Sequence, residues 1–154
     1  MARIPFPSMV SKGWGLAYSR ESNTHFISDG SNKIYEVKMS NPPTLKETHR
    51  IISEDGEPIY SLNELEMIGS SFWANIYLTS KIAIINPTTN IASTIDFEYL
   101  LSIANAINLK LKNRKLTRDE CLNGIAYDSK LNIIVLTGKN WPVMFQVDVD
   151  FDVL

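Results

Sequence analysis

The sequence predicts an all-β chain made of β-propeller blades, about three of them, each a four-stranded antiparallel sheet. Three observations predict it. First, period-two alternation of apolar and polar residues dominates the chain and stops at Gly, Pro, Asn and Asp clusters. Second, one order of strands and turns recurs three times. Third, each copy starts with a related short segment, at 14–19, 63–68 and 123–128, so Trp14, Asn63 and Asn123 share one repeat position, 49 and then 60 residues apart. A four-strand unit with a period of ~40–50 residues is the signature of a blade. A sandwich of unrelated hairpins has no reason to repeat one motif at a fixed phase.

In the first copy, 24–28 and 33–39 flank the turn cluster Asp29-Gly30-Ser31-Asn32 and read as a hairpin with one buried face. Asn41-Pro42-Pro43 breaks the pattern, and 45–52 reads as an outer, more polar strand. The second copy has strands at 71–77, 81–86 and 91–97, with Leu78-Thr79-Ser80 as a turn. The third has strands at 132–137 and 143–149 around the turn 138–142. The extra length of the second copy falls at 98–121 and reads as a short helix and then a mobile surface loop carrying the basic run 110–115. The whole reads as a single partial propeller domain over 1–154, with repeats at roughly 13–60, 62–120 and 122–154. Residues 3–7 look like the end of an outer strand, so further blades are expected before them. Three blades do not close a ring of roughly 4–8. Open blade edges therefore invite self-association.

Composition excludes several classes. The chain has 154 residues, is 44% hydrophobic and 21% charged, and has a net charge of -2. This is a globular chain, with no basic footprint for nucleic acid or a membrane surface. No run of apolar residues is long enough for a membrane-spanning helix, and the N-terminus lacks the apolar core of a signal peptide. A lone cysteine, Cys121, rules out an internal disulfide framework and a multi-thiolate zinc site. His25 and His49 stand far apart in the sequence with no acidic cluster evident beside them, so no metal site and no cofactor are expected.

Six motifs stand in order: Gly13-Trp14-Gly15-Leu16, Ser28-Asp29-Gly30-Ser31, Leu62-Asn63-Glu64-Leu65-Glu66, Trp73-Ala74-Asn75-Ile76-Tyr77, Leu122-Asn123-Gly124-Ile125-Ala126-Tyr127-Asp128 and Thr137-Gly138-Lys139-Asn140-Trp141-Pro142. Together, from about residue 3 to 149, they resemble the plant-type glutaminyl-peptide cyclotransferases, also called glutamine cyclotransferases. The resemblance implies a five-bladed propeller with its site at one end of the central channel. It implies cyclisation of the N-terminal glutamine of a peptide or protein to pyroglutamate, with release of ammonia and without a catalytic metal. Members usually enter the secretory route; this chain's own residues leave its compartment open. The match is to the C-terminal three blades. The first two blades of the family carry Gln-Gly-Leu and Glu-Gly-Leu motifs at the phase of Trp14, Asn63 and Asn123, and neither motif stands here. The glutamate expected to catalyse is thus missing, and the chain alone is expected to be inactive. The alternatives are a non-catalytic binding or scaffold module and an inactive truncated fragment.

The resemblance also assigns candidate residues. Lys139 fits a donor to the substrate carboxamide; a solvated turn lysine is its plain alternative. Trp14 fits an aromatic wall of the substrate site, against ordinary core packing. Asn63 and Asn123 fit substrate-binding amides, against turn caps or blade-to-blade bonds. Tyr77 stands where the family usually has tryptophan, keeping an aromatic surface with a different reach. Glu64 and Glu66, on one side of their strand, are off the phase of the missing glutamate and read as structural or bridging.

Overall fold

In the computed structural model, which describes residues 5–8, 10 and 12–148, the alternation becomes strands grouped in three sheets. β1 (Leu16–Ser19), β2 (Thr24–Ser28), β3 (Lys33–Lys38) and β4 (Thr44–Arg50) form an antiparallel meander in that order. β5 (Ile52–Ser53) belongs to the second sheet, where it pairs in parallel with the outer side of β9. The rest of that sheet is an antiparallel meander of β6 (Leu62–Ile68), β7 (Ser71–Ile76), β8 (Lys81–Ile85) and β9 (Ile91–Asp96). α1 (Glu98–Lys112) leads to the third sheet of β10 (Leu122–Asp128), β11 (Ile133–Gly138) and β12 (Phe145–Val147). The first strands β1, β6 and β10 lie side by side, β1 against β6 and β6 against β10.

Packing follows from the strand period. On β7, Phe72 and Ala74 point to the first sheet and join Phe26, Ile34 and Leu65 in one core. Trp73, on the opposite face, joins Leu122, Ile134 and Leu136 in a second core with the third sheet. The second sheet is thus apolar on both faces, as a layer between two others requires.

Four expectations change. The predicted outer strand 45–52 divides: β4 stays in the first sheet, buried Ile51 bends the chain, and β5 crosses to the second. The Ile51 N–H donates to Asn32 O at 2.8 Å and the Ile52 N–H to Asn90 O at 3.1 Å, so consecutive residues belong to different sheets. The insert is a 15-residue helix, and the basic run begins in its last turn, where Lys110 and Lys112 suit the negative dipole end. The segment after it is tied down rather than loose. Arg114 grips Glu120 through two bonds of 2.7 and 2.8 Å, and the Leu116 N–H donates to Asn105 Oδ1. The third sheet has three strands among the described residues, with β12 shorter than the predicted 143–149 and Val149 outside the description. Pro5–Pro7 carries no strand, and Arg3 and Ile4 also lie outside it. Among the described residues, no helix is long and apolar enough to cross a membrane.

Candidate active site

Each repeat opens with the same irregularity. Between Leu62 and Leu65 the β6–β7 register slips, so Asn63 and Glu64 face Asn75. The same slip lies between Leu122 and Ile125, where Asn123 and Gly124 face Thr137. In the first sheet the Trp14 N–H donates to Ser28 O and the Ser28 N–H to Gly15 O, so two residues again face one. A bulge turns a side chain out of strict alternation and is often found beside functional sites. Trp14, Asn63 and Asn123 therefore occupy structurally equivalent positions, although β1 itself starts two residues after Trp14.

Three of the predicted residues meet, one from each sheet. Trp14 and Tyr77 stack edge to face with ring centroids 5.5 Å apart, a favoured aromatic geometry. Lys139 Nζ lies 4.4 Å from the Tyr77 ring centroid, within cation–π range. Lys12 Nζ is 5.6 Å from the Trp14 ring. All three of Trp14, Tyr77 and Lys139 are half-buried.

The backbone explains why they converge. The Trp14 indole lies against Gly30, whose φ of +83° and missing Cβ form its bed. The Gly30 carbonyl accepts from the Ser61 N–H at 3.0 Å, and Ser61 O accepts from the Tyr77 N–H at 2.9 Å. That relay sets the distance from Trp14 to Tyr77. The Lys139 N–H donates to Cys121 O at 3.0 Å, fixing Lys139 where β11 ends. Trp141 covers Gly138 and donates its indole N–H to Glu120 O at 2.7 Å, so it shapes the loop.

The remaining polar groups sew the sheets together. Asn63 is buried, and its main-chain oxygen accepts from Ser28 Oγ, which itself accepts from the Gly15 N–H. A Cβ on Gly15 would strike that same Asn63 oxygen, so only glycine fits where the chain entering β1 meets β6. Asn75, fully buried, accepts from the Gly124 N–H at 2.9 Å through Oδ1, while its Nδ2 has no hydrogen-bond partner. The Oδ1 of Asn123 is likewise buried without a partner. Glu64 accepts from the Ile125 N–H at 3.1 Å and Glu66 from the Tyr127 N–H at 3.0 Å, the bridging role read from the sequence. Burial and the charge of Glu66 push the Glu64 carboxyl up to about 7, against the pull of its backbone bonds. Burial also raises Glu66.

Sequence reasoning missed Ser28, Ser61 and Asn75. Only the places of Ser28 and Asn75 inside their motifs signalled anything, because their partners lie across sheets.

The six motifs and the cluster they build can now be set beside known proteins. The family model described as glutamine cyclotransferase matches residues 3–149. The chain belongs to the glutamine cyclotransferase family. It is 34% identical over 144 residues to a glutaminyl-peptide cyclotransferase of Arabidopsis thaliana, covering 93% of this chain and 42% of that protein. Its fold superimposes on the crystal structure of Myxococcus xanthus glutaminyl cyclase with a TM-score of 0.80 at 28% identity, covering 96% of this chain and 58% of the other. The chain thus spans less than half of the plant relative and somewhat over half of the bacterial one.

Proposed function

We propose that the chain supplies the cation–aromatic wall of a pocket for N-terminal glutamine, within a fold that cyclises this residue to pyroglutamate. One observation carries the reading: Trp14, Tyr77 and Lys139, drawn from three sheets, converge on one spot. In the reaction the free α-amine attacks the side-chain carboxamide carbon. The lactam C–N bond forms, the bond to the amide nitrogen breaks, and ammonia leaves with the proton the amine gives up. Aromatic faces hold the glutamine folded, so orientation is settled on binding. The Lys139 ammonium donates to the carboxamide oxygen as it gains charge. A carboxylate must carry the proton from amine to ammonia. The sequence has no Glu-Gly-Leu motif to place one at the expected phase, so this chain alone binds and does not turn over.

A non-catalytic binding module is the second reading. The engagement of Glu64 and Glu66 with the β10 backbone favours it. Both readings require the pocket. Titrating the chain with a peptide bearing N-terminal glutamine should change the Trp14 fluorescence saturably. The change should vanish in Trp14→Leu and weaken in Tyr77→Ala. A response equal for N-terminal glutamine and N-terminal serine peptides would sink the assignment.

A further inference from the structure

We propose that Glu36, Glu47 and His49 form a binding site for a divalent transition-metal ion between the first and second sheets. The sequence hides it. The β3–β4 ladder sets Glu36 directly opposite Glu47, and His49, two residues further along β4, shares their face. A bulge beside Glu36 leaves Lys46 as the extra residue. Its Nζ donates to Glu36 Oε1 at 2.8 Å, and Thr24 also hydrogen-bonds this carboxylate. Like charges directly opposite in a ladder repel, and one lysine offsets half of this pair.

His49 is the second, independent observation. It is 5% exposed, and its ring lies against the Phe26–Phe72 pair at 6.1 and 6.2 Å. Its Nδ1 lies 2.9 Å from Asn90 Oδ1, in the turn between β8 and β9. That contact uses Nδ1 and leaves Nε2 as the ring atom open to another partner. That Nε2 is buried without a hydrogen-bond partner and lies 3.8 Å from Glu36 Oε2. It thus points at a carboxylate that it does not hydrogen-bond.

A cation resolves all of this. Ligand atoms of Glu36, Glu47 and His49 lie within 4.8 Å of one another. Around zinc, with bonds of about 2.0–2.2 Å, ligand atoms sit roughly 3.3–3.5 Å apart. The exposed Glu47 side chain closes the difference by rotation. Two carboxylates balance the charge of the ion, and imidazole with carboxylate suits zinc and its neighbours in the series. Asn90 plays the outer partner that fixes the tautomer of a ligating histidine. A groove of about 940 Å³ lined in part by Glu36 and His49 gives access. Because Asn90 belongs to the second sheet, the ion fastens that sheet to the first. The site is separate from Trp14, Tyr77 and Lys139 and serves no step of their chemistry.

The test is calorimetric titration of zinc into the full chain after stripping with chelator, with thermal melts alongside. One ion should bind per chain with a dissociation constant far below about 1 mM, and the melting temperature should rise with zinc. Cobalt should give the visible bands of a low-symmetry nitrogen–oxygen site. Glu47→Gln alters an exposed side chain, should fold normally, and should weaken binding at least ~10-fold. His49→Gln should abolish it, and Cys121→Ser should leave it intact. Absence of saturable binding up to about 1 mM zinc overturns the site. So does binding that Glu47→Gln leaves unchanged or Cys121→Ser removes.

Discussion

Lys139 reaches from the third sheet to lie over the Tyr77 ring of the second, and that geometry fixes what its removal should do. An ammonium that donates to the carboxamide oxygen strengthens its bond as charge develops, so its loss falls on kcat. In a ring completed with two N-terminal blades of a relative, Lys139→Ala should lower kcat by roughly 10²–10³ and move KM less. Steady-state ammonia release checks it; an unchanged kcat makes Lys139 a loop residue. Glu64 carries the second expectation at this scale. Its carboxyl sits at about 7 in the fold against an ordinary 4.5. A raised carboxyl favours the protonated native state. Stability should therefore fall as pH rises from 4.5 through 7, with the full penalty present above 7. Glu64→Gln still accepts the Ile125 N–H without the charge. At pH 8 it should melt a few degrees above the parent, a scale of ~1–3 kcal/mol, and the gap should close as pH falls below the ordinary value of 4.5. A gap that persists undiminished below pH 4.5 contradicts the linkage.

Among the elements, the repeated bulge does most to place the site. It sets Asn63 and Asn123 at one phase and opens Gly124 N–H to Asn75. Asn75→Ala leaves that N–H without its partner at the seam of the second and third sheets. Such a loss should cost about 1–3 kcal/mol, read by urea unfolding; an unchanged midpoint would mean that water replaces the amide. The strands were legible because each sheet has at least one face that must be apolar: 33–38 alternates, and 81–85, in the sheet covered on both sides, is a short apolar run. The helix was legible only as a short one, because its basic last turn looks like a loop until the dipole and Asn105 are in view. The crossing of β5 had no local signal: Ile52 pairs with Ile91, far along the chain. For the same reason Trp14, Tyr77 and Lys139 were legible as motif members, while the relay through Gly30 and Ser61 was not.

At the scale of the molecule, three stacked sheets share two cores and bring their first strands together, as in the bacterial glutaminyl cyclase they superimpose on. On the proposed reading this chain holds the cation and the aromatic wall, and no Glu-Gly-Leu motif for the proton-carrying glutamate stands in it. General acid–base groups contribute ~10²–10⁴-fold, so binding without that group does not become turnover. The most direct measurement is ammonia release from a peptide with N-terminal glutamine, incubated with the purified 154-residue chain. The account predicts a rate indistinguishable from the uncatalysed reaction, although the peptide binds. Ammonia released well above that background, and lost in Lys139→Ala, would contradict it and place the whole of the chemistry within these three sheets.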